Sequence, residues 1–463
     1  MSQKVIVRNG KLCHPHGIRR EDILMQNGRI ARIGKISENE YQSAEVIDAM
    51  DHYVLPGLID MHTHVDDAIN GVALADTYDS ASRLAIQNGI TTLFTFITQG
   101  PAESFDMAID RAVRKAKGNS YTDVGWHLTP LDWYPPAMER IQTRIQEGFK
   151  TFKFYTTYKE AGLYLDYEQI AAIVNRLTKY NVRFLVHCED EQTLETYRQK
   201  SWDLSKPESH ADMRPPGAEY EAIRRIIEIA KRSGAKFHIV HVSTTEGLEL
   251  IANEGRRHGI TCETAPHYFL LNRRQLAAEN GHRYLCTPPL RQPDTQRGMK
   301  TYAQEARFDC FATDHCAFNR KEKDRHKKNL PSIPKGIAGL GSLAPAVFEL
   351  FHQEGDAGMI KLLKTLSENP ARITGLYPQK GILQEGSDAD VVILKKGNQS
   401  RPFCSSLTNN YEPYPDFETR LHIAYVIRNG EIKVKNNSII NNVMNGKLLN
   451  HNNQTNQYES KHK

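Results

Sequence analysis

Five stretches of this 463-residue chain carry a metal-ligating or titratable side chain at or near the end of an apolar run. Residues 54–67, VLPGLIDMHTHVDD, lead into His62 and His64. TFKFYTT contains Lys153, LVHCED contains His187, IVHVSTTEG contains His241 and FATDHCAF contains Asp314. Two histidines one residue apart on a strand point to the same side, because strand side chains alternate. Neutral imidazole is the commonest metal ligand, and a carboxylate beside imidazoles suits a divalent cation. A single His-x-His is unspecific and describes two buried, hydrogen-bonded histidines equally well. Four histidines, an aspartate and a lysine, each where a core position would hold valine or leucine, are hard to explain without metal. A Schiff-base lysine is an alternative for Lys153, but that chemistry has no need of the histidines.

The surrounding elements recur as strand, then amphipathic helix. The strand candidates are LPGLIDMH, TTLFTFI, VGWHLTP, TFKFYTT, VRFLVHC, KFHIVHV, ITCETAPHYF and FDCFATDH. Helical stretches such as DSASRLAIQNG, YEQIAAIVNRLTKYN and YEAIRRIIEIAKRSG lie between them and end at Asn88-Gly89, Asn181 and Gly234, as helices tend to. Eight alternations predict a (β/α)8 barrel over residues 53–380, with an open doubly wound sheet as the alternative. No Gly-x-Gly-x-x-Gly follows any strand, so nothing supports a dinucleotide site. In such barrels the chemistry sits at the C-terminal strand ends. His62 and His64 then close strand one, Lys153 lies on strand four, and His187, His241 and Asp314 close strands five, six and eight. His127 and His267 fall on strands three and seven, where supporting or core roles are expected.

Both ends of the chain read differently. KVIVR and DILMQNGRIARIG alternate like strands around the turns Asn9-Gly10 and Asn27-Gly28, and VVIL and AYVIRNGEIKV repeat the style near residue 430. The two ends, residues 1–52 and 381–435, are expected to meet in one small β-sandwich. Residues 436–463 read as a polar tail, with Gly446-Lys-Leu-Leu as a docking segment and an unstructured last dozen residues. The run RKEKDRHKK at 320–328 reads as a solvated loop.

A net charge of +5 is too dilute on this length to imply nucleic acid. No apolar run approaches ~20 residues, so no membrane span is expected, and the first residues lack the apolar core of a signal peptide. The seven cysteines are odd in number and include no Cys-x-x-Cys, which fits a reducing cytoplasm.

With these motifs in view, the chain resembles the cyclic amidohydrolases of the hydantoinase and dihydropyrimidinase branch. The resemblance rests on PGLIDMHTH, FKTFKFYTTYK, VHCED, VHVSTTEG, ETAPHYF, CTPPLR and ATDH, and covers nearly the whole chain. It implies two divalent metals, most often Zn²⁺ with Mn²⁺ or Co²⁺ as substitutes. His62, His64 and Asp314 would serve one metal and His187 and His241 the other. Lys153, carboxylated by CO2 to N6-carboxylysine, would bridge them, with Lys150 as the competitor. The resemblance further implies that a metal-bridging hydroxide attacks a ring amide, that Asp314 moves the proton and that Tyr158 donates to the developing oxyanion.

It also implies a homotetramer, and ring contacts beside Thr287 and Lys335. Thr287 replaces a serine conservatively, whereas Lys335 stands where hydantoinases usually have asparagine. Non-catalytic scaffold homologues exist, but the retained ligand set argues for an enzyme. Relatives that open rings bearing a carboxylate place an arginine just after His-x-His; here Val65, Asp66 and Asp67 follow, and Lys335 and Arg291 are the nearest cations that the sequence offers. A neutral dihydropyrimidine or 5-substituted hydantoin is therefore expected first, then allantoin, with a dihydroorotase-type substrate last.

Overall fold

The computed structural model describes residues 4–100 and 102–449. Its framework is two large sheets. The first takes strands from both ends of the chain: β1 (Lys4–His14), β2 (Gly17–Gln26), β3 (Arg29–Ile33), β4 (Glu45–Asp48) and β5 (Tyr53–Pro56). The second is parallel and starts at β6 (Leu58–His64). A minor hairpin, β7 (Ala68–Ile69) and β8 (Val72–Ala73), follows. The parallel series continues with β9 (Ile90–Thr98), β10 (Asp123–Thr129), β11 (Thr151–Tyr155), β12 (Arg183–His187), β13 (Lys236–Ile239), β14 (Thr261–Thr264), β15 (Cys310–Phe311) and β16 (His315–Cys316). The chain returns to the first sheet with β17 (Val391–Pro402), β18 (Glu418–Arg428), β19 (Glu431–Lys435) and β20 (Ser438–Ile439).

The parallel sheet runs β15-β14-β13-β12-β11-β10-β9-β6-β16. Its first and last members belong to one segment, 310–316, so β16 pairing with β6 closes the barrel. Burial explains why these runs are strands. β9 and β10 are buried almost end to end, as a parallel sheet covered on both faces requires. The outer helices bury one stripe each. Pro216–Ser233 buries Ile223, Ile226, Ile227 and Ala230 and stops at Gly234, whose φ of +66° suits a residue without Cβ.

Two strands are shorter than their sequence pattern. ITCETAPHYF is extended only over β14, because Pro266 opens a helix, Pro266–Leu270. FDCFATDH breaks between β15 and β16, where Asp314 takes a φ of +47°. The run at 320–328 is not a solvated loop throughout: Arg320–Arg325 is a short helix, and Lys323 is fully buried.

The terminal sheet is continuous, ordered β20-β19-β18-β17-β5-β1-β2-β3 with β4 beside β1. It curls on itself. Val5, Ile23 and Val54 from one end share a core with Val391, Ile427 and Ile432 from the other. A division at residue 52 falls one strand early, since β5 pairs with β17 inside this sheet. The tail expected from residue 436 is packed through Leu449. β20 adds to the sheet, and Leu448 bridges to Val124 at the start of β10. The expectation for the last dozen residues lies outside the described residues. Where the sheet meets the barrel bottom, buried Lys380 contacts Asp123 at 2.7 Å, Asp388 at 3.2 Å and Asp390, while Arg428 donates to Asp123 at 2.8 Å.

Candidate metal centre

The strand ends bring five ligand-type side chains to one place. His62 Nε2 lies 3.2 Å from Asp314 Oδ1 and His64 Nε2 lies 3.5 Å from the same oxygen. His187 Nδ1 faces His241 Nε2 at 3.0 Å. The His62 ring is centred 5.4 Å from that of His241, so the two groups adjoin. Lys153 enters from β11. Its ammonium sits 5.2 Å from the Phe96 and Tyr155 ring centres, and no acceptor within hydrogen-bond reach is found for it among the described residues. Burial pulls its pKa down to about 8, against the opposing pull of Asp314 and Glu263. Lys150 is exposed at the opposite end of that strand and bonds the Ile145 carbonyl, so the strand directs Lys153 rather than Lys150 to the cluster.

Backbone strain concentrates here. Asp314, His241 and Tyr158 have φ of +47°, +40° and +71°, which side chains other than glycine seldom adopt. Such conformations persist only where the surroundings enforce them, and they gather at functional sites.

Carboxylates from neighbouring elements orient the imidazoles. Glu263 on β14 meets His62 Nδ1 at 2.5 Å and His238 Nε2 at 3.2 Å. Burial alone would raise the Glu263 carboxyl; His62 and His238 hold it well below the usual carboxylate range. Glu189 meets His187 Nε2 at 2.7 Å and takes a bond of 2.5 Å from Arg214. Asp60 bonds Thr313 through both its backbone N–H and its hydroxyl, tying strand one to strand eight beside Asp314. Burial drives His241 far towards the neutral form, and His187 adds to the effect.

The donor set fits a pair of divalent cations. His241 Nδ1 is buried without a partner, two imidazole nitrogens confront each other, and His62, His64 and Asp314 offer atoms within 4.8 Å of one another. Glu189 engages His187 Nε2, which leaves His187 Nδ1 as a lone pair turned towards His241, and a lone pair on a neutral imidazole is what a cation binds. Two further acid-bearing clusters are already committed. His238 and Glu263 belong to the bonds that orient His62, Cys310 contacts Met61, and Lys380 fills the space among Asp123, Asp388 and Asp390.

Around this cluster, Tyr158 is centred 5.1 Å from His187, under the Arg214 guanidinium at 5.4 Å, with Thr287 close by. Thr287 also lies 3.3 Å from buried His210. Lys335 is near but turned onto its own loop, donating to the Leu330 and Pro331 carbonyls at 2.8 Å. Arg291 is spent on Ser243 and the Arg214 carbonyl. Asp66 pairs with Lys115 at 3.3 Å. His127 is a satisfied core histidine, bonded to Met61 and Thr151. His267 is buried, and neither ring nitrogen has a partner among the described residues. Glu263, Glu189 and Arg214 had no assigned role from sequence. The usable signals were a carboxylate inside an apolar strand and a His-x-Glu spacing, both of which fit a carboxylate accepting the second N–H of a ligand histidine.

Known proteins resemble this chain over most of its length. A D-hydantoinase of Streptomyces coelicolor is 29% identical over 405 residues, covering 85% of this chain and 86% of its own. A D-hydantoinase of Ralstonia pickettii is 28% identical, covering 96% and 98%. The crystal structure of a dihydropyrimidinase from Brevibacillus agri superposes with a TM-score of 0.91 at 26% identity, covering 97% of this chain and 99% of that one. The model of the Amidohydrolase family matches residues 53–433, so the chain belongs to that family, whose membership implies a binuclear divalent metal centre.

Proposed function

We propose that this protein is a binuclear metal-dependent hydrolase that opens the amide bond of a neutral cyclic amide or ureide, a dihydropyrimidine or a 5-substituted hydantoin. The observation that carries the reading is the convergence of His62, His64 and Asp314 with His187 and His241 around buried Lys153. His62, His64 and Asp314 would hold one cation and His187 and His241 the other. Imidazole and oxygen ligands suit Zn²⁺, with Mn²⁺ or Co²⁺ as substitutes. When bound, the cations supply Lewis acidity and a source of hydroxide at neutral pH.

The residues divide the remaining work. An ammonium between two cations would be repelled. Condensation of the neutral Lys153 amine with CO2 would release a proton and leave a carbamate, an anion that could help to hold the cations. Asp314 takes the proton lost from the attacking water and returns it to the ring nitrogen as the C–N bond breaks. Tyr158 is kept a phenol by burial, which pushes its pKa up, so it can donate to the carbonyl oxygen as negative charge develops there. Thr287 and the turn after Lys335 flank the ring.

A neutral ring is favoured because the cations nearest the cluster already have partners: Arg214 on Glu189, Arg291 on Ser243, Lys335 on two carbonyls. With their charge already answered in this way, these groups are poorly disposed to grip a carboxylate in the two-pronged manner that such recognition uses. Seven unpaired cysteines, six of them buried, support a cytoplasmic location. A homotetramer rests on the resemblance alone and is read by sedimentation velocity.

The test is metal analysis followed by a substrate panel: dihydrouracil, dihydrothymine, hydantoin and its 5-substituted forms, allantoin and dihydroorotate. Two metals per chain and ring opening of a neutral member are expected. A kcat/KM for dihydroorotate above all the others would overturn the neutral assignment. Less than about one metal per chain, with no ring opened on added metal, would favour a scaffold.

A further inference from the structure

Lys323 is the buried charge that the proposed chemistry leaves unexplained. Its side chain is wholly inaccessible, yet no carboxylate pairs with it among the described residues. Its neighbours are the Cys286 and Cys316 thiols, the Phe318 ring at 5.9 Å and the more distant Lys335 ammonium. Burying an unpaired ammonium costs several kcal/mol, so such a residue is retained only where its hydrogen bonds matter. Its two acceptors are the carbonyls of Leu285, at 3.0 Å, and Gly336, at 2.6 Å. A neutral amine carries two hydrogens, one for each carbonyl, and burial draws the pKa down to about 7.

The two carbonyls belong to segments that approach the metal cluster from opposite sides. Residues 285–287 lead to Thr287, which touches Tyr158 and His210 on the His187 side. Gly336 opens a turn bound to the Asp314 side. Cys316 N–H donates to the Ile337 carbonyl at 3.1 Å, and Gly339 and Leu340 N–H groups donate to His315 Nδ1. Cys316 in turn pairs in register with His64. Gly336 itself has no room for a side chain: a Cβ there would lie 2.4 Å from the Cys316 carbonyl oxygen. The Gly336 N–H also reaches the Leu285 carbonyl, at 2.7 Å. Lys323 thus adds a second, side-chain link to the direct backbone bond between these two walls.

We propose that Lys323 is a positioning residue for the ring substrate: its amine pins residues 285–287 to Gly336 and so fixes the width of the slot between Thr287 and the turn at 336–339. The proposal rests on the reading of the site as a cyclic amide hydrolase. It predicts that loosening this link weakens ring binding while the metal ligands, which it does not touch, keep their places. The experiment compares wild type, Lys323→Met and Lys323→Gln as full-length, metal-loaded protein. Metal content, hydrogen exchange of peptides spanning 285–290 and 334–340, and KM and kcat on the best ring of the panel are measured.

Lys323→Met should keep its metals and a kcat within about threefold of wild type, raise KM about tenfold, and exchange faster in both segments. Lys323→Gln, which keeps an NH2 on a shorter stem, should fall between them. If the methionine variant does not fold, the glutamine variant carries the comparison. Unchanged exchange in both segments, a KM within about twofold of wild type, or a rise in KM that merely tracks metal loss would overturn the proposal. If wild type opens no ring, the cyclic amide reading fails, and the exchange of the two segments still decides whether Lys323 joins them.

Discussion

Lys153 shows how far one side chain can be argued from its surroundings. It lies on a short strand between Phe152 and Phe154, both buried, and its ammonium sits over the Phe96 and Tyr155 rings. A lysine next to four imidazoles, with no acceptor in hydrogen-bond reach among the described residues, has no structural purpose as an ammonium. As a carbamate it would supply the one bridging anion that the set lacks. Lys153→Ala is therefore expected to halve or empty the metal site and abolish turnover, with short carboxylic acids restoring part of it by standing in for the bridge. Elemental analysis and activity with and without added acid check this; two metals and normal turnover in the variant would remove Lys153 from the centre. The six ligand-type residues were legible in the sequence because each interrupts an apolar run. Glu189 and Arg214 were not, because a surface-type residue acquires its role only when distant segments meet, and Arg214 reaches Glu189 across 25 positions of chain.

At the level of elements, the barrel works because each strand end delivers a side chain while a neighbouring strand holds it. β14 delivers no ligand of its own. It supplies Glu263, which binds His62 of β6 and His238 of β13 together. Removing the charge while keeping the shape should loosen His62. Glu263→Gln is expected to weaken metal affinity by about 10–100-fold, seen as faster loss of metal to a competing chelator; an unchanged off-rate would mean that the fold alone orients His62.

Element type was readable from periodicity, whereas element ends were not. Strand eight breaks at Asp314 because that residue's backbone leaves the extended region, and nothing in FATDH announces it. Lys323 was hidden for another reason. A helix of six residues is too short to display an apolar stripe, so a charged run concealed one buried position.

For the whole molecule, the junction between the terminal sheet and the barrel bottom is ionic. Lys380 and Arg428 meet Asp123, Asp388 and Asp390 in a space that admits little water. Such a network adds modest stability while intact, but breaking it strands buried charges. Lys380→Met leaves three carboxylates with Arg428 and Arg29 as the charged partners among the described residues. A loss of about 3–5 kcal/mol is expected, measured by denaturant unfolding at neutral pH. A much smaller loss would show that water reaches the acids. The matching style of the two chain ends predicted that they meet. The way in which they meet, through one curled sheet that includes β5, depends on register and could not be read from local pattern.

That shared sheet also orders events during synthesis. β5 receives its antiparallel partner only when residues 391–394 emerge. At roughly 5–20 residues per second, the wait lasts on the order of a minute or less. Through that interval the first strands leave the ribosome with an open apolar edge at Val54 and Leu55, while the barrel that separates the two halves is still being made. The nascent chain is therefore most exposed to strand-edge association before its catalytic domain is complete, and the C-terminal strands act as the closing step of folding rather than as an appendage.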